Sequence, residues 1–150
     1  MSRRRRLIAA SVIAGVSLAG IGGAAAAGGK SLSTDLNGVE EAPGPGDANA
    51  TGHADITVKP GKNEVCYDLS WAAIDGTVLA AHIHVAPPGF AGQVVVPLFS
   101  GALAGTDEAS GCIDVDAALV KAIRKDPAAY YVNVHSTIYP AGAIRGQLGD

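Results

Sequence analysis

Apolar and polar residues alternate in steps of two along most of this chain, which is the repeat of a half-buried strand. Ser31–Leu36 alternates through Leu32, Thr34 and Leu36, and Ala54, Ile56 and Val58 line one face of a second run that Pro60-Gly61 ends. Val65, Tyr67, Leu69 and Trp71 line a third. After a turn at Asp75-Gly76 come Val78–Val85, Val94–Phe99, Cys112–Val115, Tyr130–His135 and Ala143–Leu148. Short strands at near-regular spacing between turn signals predict an all-β sandwich or barrel.

One segment breaks the period. Asp116 is placed to cap a helix over Ala117–Lys125, with Leu119, Val120 and Ile123 on one face. Lys121, Arg124 and Lys125 crowd its C-terminal end, where the helix dipole favours cations, and Asp126-Pro127 stops it. It is expected to be a crossover lying on the sandwich. Glu40–Asn49 is rich in Pro and Gly and predicts a surface loop, and its Glu40-Glu41 pair, like Asp107-Glu108, reads as solvated charge.

The first residues have a different character. Arg3–Arg6 form a basic start, Leu7–Ile21 is apolar with small residues, and Ala24–Ala27 offers an A-x-A cleavage site. This predicts a secretory signal peptide over residues 1–27 and a mature domain over 28–150, with no membrane span in the mature chain. Arg4-Arg5 before Leu7-Ile8 also loosely fits a twin-arginine signal, so the export route stays open. Removing Arg3–Arg6 from 11 Lys+Arg leaves 7 against 14 Asp+Glu. An acidic chain without a basic run excludes nucleic acid as a partner class and disfavours an anionic membrane surface. Two cysteines, Cys66 and Cys112, in an exported protein read as one disulfide.

The candidate chemistry lies in three histidines. Alternation puts His82 and His84 on one strand face, and His135 on the same face of its strand as Asn133 and Tyr131. If the two strands are neighbours, three imidazoles converge, a set suited to one copper or zinc ion with an open position. The other reading is structural, with each ring bonding backbone carbonyls, Asn133, Tyr131 or Gln147. Arg145 and Gln147 share a face of the last strand, where the guanidinium either holds an anion near the imidazoles or pairs with an acid of the chain. Asn133, Arg145 and Gln147 are therefore the residues expected to support the rings from outside. Ser100 and Ser110 lack a Gly-x-Ser-x-Gly setting, and no catalytic residues are assigned.

Taken together, Ala81-His82-Ile83-His84, Gly92-Gln93-Val94-Val95-Val96-Pro97-Leu98, Tyr131-Val132-Asn133-Val134-His135-Ser136 and Pro140-Ala141-Gly142-Ala143-Ile144-Arg145-Gly146-Gln147-Leu148 resemble the CHRD domain, named for chordin, an extracellular regulator of growth-factor signalling. The resemblance spans about Ser31 to Leu148, and the Cys66 and Cys112 pair resembles bacterial exported single-domain members. It implies a Greek-key β-sandwich, immunoglobulin-like or similar to Cu,Zn superoxide dismutase, with no established activity. Dismutases also use a His-x-His strand and a later histidine. Their copper site takes a fourth histidine and their zinc site several more ligands, which this chain lacks, with only His53 to spare. The expected function is a non-enzymatic, secreted or cell-envelope binding module for an unidentified extracellular or envelope ligand. The alternative is a mononuclear copper or zinc protein using His82, His84 and His135.

Overall fold

The computed structural model describes residues 28–149; the expected signal peptide, residues 1–27, lies outside them. The described residues form β1 (Lys30–Asn37), β2 (Thr51–Lys59), β3 (Glu64–Ala72), β4 (Val78–Val85), β5 (Gln93–Leu103), β6 (Glu108–Asp114), α1 (Ala117–Lys125), a single 3-10 turn (Pro127–Ala129), β7 (Tyr130–Ser136) and β8 (Ile144–Gln147). The all-β class and the one short helix are as the alternation predicts. The strands make one antiparallel sheet of eight in the order β5-β4-β7-β8-β1-β2-β3-β6. The sheet curls until its ends approach: Phe99 of β5 lies 6.2 Å from Trp71 and 6.5 Å from Tyr67, both on β3. The two layers expected of a sandwich are thus halves of one nearly closed sheet.

Two elements are longer or shifted relative to the sequence reading. β5 runs on through Ser100 and Gly101, and β6 begins at Glu108, four residues before Cys112. Apart from the half-buried Leu103 that ends β5, both extensions are polar or small and mostly exposed, so no run of apolar alternation marks them.

The core is the inward face. Leu32, Leu36, Ile56, Val58, Val65, Leu69, Ile83, Val96, Leu98, Val132, Val134 and Ile144 are all buried there. Each fully buried aliphatic side chain contributes about 1.5–3 kcal/mol of hydrophobic stabilisation. Helix α1 closes the core with Val120 and Ile123. Asp116 caps it, its Oδ1 accepting from the Ala118 and Leu119 amides at 2.8 and 3.3 Å. Cys66 and Cys112 sit directly opposite one another on β3 and β6 and are joined as a disulfide. No helix among the described residues is long and apolar enough to cross a membrane.

The opposite face of β4, β7 and β8 is also buried, though it is polar. Two segments cover it: the loop between β1 and β2 and the loop between β4 and β5. The first is pinned by the Asp47 amide, which donates to Ala143 O at 2.8 Å, and by the Asp47 carboxylate, which accepts from the Asp75 amide at 2.7 Å.

Candidate metal centre

Strand pairing sets the geometry of this polar face. β7 lies between β4 and β8, and the register forms two rows across them: His82–Asn133–Arg145 and His84–Tyr131–Gln147. His135 starts a third row beside Ala80. Residues paired across antiparallel strands project to the same side, so all seven polar side chains share the face opposite Ile83, Val132 and Val134.

The three imidazoles meet. One ring nitrogen of each of His82, His84 and His135 lies within 4.8 Å of the others. Ring centroids are 4.8 Å apart for His82–His135, 5.6 Å for His82–His84 and 5.9 Å for His84–His135. Backbone carbonyls orient two of the rings. His84 Nδ1–H donates to Gly92 O at 3.0 Å, which leaves Nε2 as the lone pair, buried and without a hydrogen-bond partner. His135 Nδ1–H donates to Pro140 O at 3.2 Å, so its Nε2 accepts from His82 Nδ1–H at 3.0 Å. A histidine whose outer N–H is held by a carbonyl has its other nitrogen preset as a metal donor.

The site favours neutral rings. Burial lowers the pKa of His82, reinforced by His84. Burial also lowers that of His84, with Arg145 acting in the same direction against the Gly92 hydrogen bond. His135 falls to about 4, through burial first and then the neighbouring His82. Neutral imidazole is the form that ligates.

Asn133, Arg145 and Gln147, expected to support the rings, stand one step further out. Arg145 is only 1% exposed and forms no salt bridge with an acid among the described residues; its Nη1 donates to Phe90 O at 2.8 Å and its Nη2 to Pro87 O at 3.1 Å and Gln147 Oε1 at 3.2 Å. Gln147 Nε2 donates to Ala86 O at 2.9 Å. These two side chains of β8 therefore organise the β4–β5 loop through its carbonyls. The loop in turn supplies Gly92, which holds His84. Between them lies Tyr131: its ring stacks on His84 at 4.8 Å and 11°, and Arg145 Cζ sits 3.5 Å from its centroid.

Asn133 faces Glu41 instead of the imidazoles, donating from Nδ2 to Oε2 at 3.0 Å. This corrects the reading of Glu41 as solvated charge. Its side chain turns back under the loop and is 9% exposed, and burial raises its pKa to about 7 against the lowering effects of Asn133 and Arg145. Glu40 does stay in solvent. Gly142, at φ +146°, leaves room for that carboxyl, since a Cβ there would lie 2.4 Å from Glu41 Oε2. Glu41, Arg145 and Gln147 also line an open cleft of about 620 Å³ between Val39–Pro45 and Pro88–Gly89. No sequence pattern marks Glu41; only the burial of its loop does.

The remaining histidine, His53, is separate, bonding Asp35 at 2.8 Å on an exposed surface. Glu64 approaches Cys66 and Cys112, but those sulfurs are bonded to each other and are not free ligands.

No curated protein and no solved structure matches the chain. A family model, the CHRD domain, matches residues 32–148, from Leu32 on β1 to Leu148 just past the end of β8. That match takes in both histidine strands, the disulfide and the Arg145 strand, and the chain belongs to the CHRD domain family.

Proposed function

We propose that this chain is an exported, non-enzymatic binding module, and that what its buried polar face binds is one copper or zinc ion, on His82, His84 and His135. The observation that carries the reading is His84 Nε2. A buried imidazole nitrogen with no partner costs about 1–3 kcal/mol in desolvation, and a bound cation would remove that cost. The fixed outer N–H of His84 and of His135, and the neutral state of all three rings, support the same reading.

Export is supported by the Arg3–Arg6 and Ala24–Ala27 pattern and by the disulfide, which persists in oxidising compartments. Such a protein captures or delivers an ion outside the cell or within its envelope.

Elemental analysis and copper and zinc titration of the wild type, His84→Ala and His84→Phe test the proposal. The Phe variant keeps a ring on Tyr131 and removes only the donor. One ion per chain in the wild type and none in either variant is the expected result. Equal, negligible uptake by all three overturns it.

A further inference from the structure

A three-imidazole site carries no negative charge, and no acidic side chain joins this cluster among the described residues. Among the described residues no carboxylate or free thiolate comes into the cluster of His82, His84 and His135. The two buried carboxyls of the covering loop are engaged elsewhere, Glu41 by Asn133 and Asp47 by the Asp75 amide. A buried cation, Arg145, packs on the ring that stacks on His84. On the other flank β5 offers Pro97 opposite His82 and Val94 opposite His84, neither of which has a donor side chain.

We infer that this site selects monovalent copper, Cu(I), over divalent zinc or Cu(II). The inference rests on the metal-binding reading above. The cost of moving an ion out of water grows with the square of its charge, so a dication bears about four times the penalty of a monocation at the same site. Three neutral nitrogens return part of that excess as lone-pair donors but supply no countercharge, and a guanidinium nearby adds to it. Coordination number points the same way. Zn(II) takes four ligands and Cu(II) prefers a tetragonal set, and both would have to complete their shells with water or an anion. Cu(I) is satisfied by two or three imidazoles. Binding involves no electron transfer: the ion enters as Cu(I) and displaces the His82–His135 hydrogen bond, the His82 proton moving to its other nitrogen.

The experiment is a set of titrations of the oxidised, disulfide-bonded chain with each metal alone: Cu(I) under anaerobic conditions against a competing cuprous chelator, Zn(II), and Cu(II). One Cu(I) per chain, bound at least roughly 100-fold more tightly than either divalent ion, is expected from the charge difference. Azide should strengthen Cu(II) binding and leave Cu(I) binding unchanged, because only the dication needs an anion. A second variant isolates the charge. Val94 lies on the edge strand beside His84 and is 48% exposed, so Val94→Glu adds a carboxylate without disturbing the core. It should raise Zn(II) affinity by about tenfold or more relative to Cu(I). Zn(II) or Cu(II) binding as tightly as Cu(I) in the wild type, or an unchanged preference in Val94→Glu, overturns the selection and leaves the metal reading standing. No uptake of any of the three ions overturns both.

Discussion

His84 and Gly92 are joined by a 3.0 Å hydrogen bond from Nδ1–H to the glycine carbonyl, and the amide of the same glycine donates to Tyr131 Oη at 3.0 Å. Tyr131 is the ring on which His84 stacks. A single residue without a side chain thus fixes the tautomer of His84 and the plane against which it lies.

Gly92→Ala should break this arrangement. A Cβ at that position would lie 2.1 Å from Val85 O and 2.6 Å from its carbonyl carbon, and neither backbone atom can step aside alone. The loop has to shift, and His84 Nδ1 loses its acceptor. A destabilisation of about 1–3 kcal/mol in urea unfolding is expected, with weaker metal uptake. Wild-type values of both would show that the carbonyl does not position the ring.

Arg145→Lys keeps the charge and removes the fork. A lysine has no planar pair of nitrogens to serve the Phe90 and Pro87 carbonyls and Gln147 at once. Leaving one or two of these buried acceptors unpaired should cost about 2–4 kcal/mol. Faster amide exchange and faster proteolytic cutting within residues 86–92 are the accompanying signs. Exchange in α1 should not change. If the variant protects the loop as well as the wild type does, the loop is held by something other than bidentate donation.

Much of this site was legible from alternation alone. A two-residue period assigns His82, His84, Asn133, His135, Arg145 and Gln147 to faces before any pairing is known, and a neighbouring β4 and β7 then bring the imidazoles together. What alternation does not carry is the identity of backbone partners. Gly92 O and Pro140 O belong to loops, and a carbonyl has no sequence signature. The same limit explains Arg145: it satisfies itself on loop carbonyls, so counting acids on the chain points toward a salt bridge that does not form. Glu41 was hidden for a further reason. Its Pro/Gly-rich surroundings mark a loop correctly, but loops are exposed only on average, and this one folds back over a polar face.

Glu41 gives the chain a pH signature. Its pKa rises from 4.5 to about 7 in the fold, so between those values the native state binds more protons than the unfolded state. Stability from this group is therefore full below about pH 4.5 and is lost as pH rises through about 7. Glu41→Gln removes the titration while keeping an acceptor for Asn133. The variant should unfold near the wild-type temperature at pH 4.5 and be more stable at pH 8, by on the order of 2 kcal/mol. The histidines act with the opposite sign, losing stability as pH falls below 6.5, but both proteins carry them and the difference cancels them. A gap between the two proteins that does not widen with pH would show that Glu41 is not buried as a carboxyl.

Breaking the disulfide should separate stability from the site. Cys66 and Cys112 enclose 46 residues of sequence separation, and closing such a loop restricts the unfolded chain by about 4 kcal/mol on the entropy model. β6 depends on the link more than other strands do, because it is the last strand in the order and pairs only with β3. Cys66→Ser/Cys112→Ser should lose about 3–4 kcal/mol and show fast amide exchange along β6. The histidine strands β4 and β7 pair with each other and lie toward the other end of the order. Metal uptake by the folded double variant should therefore match that of the wild type. Loss of uptake in a variant that is still folded would mean that the closure of the sheet between β3 and β5, rather than the β4–β7 register alone, holds the imidazoles together.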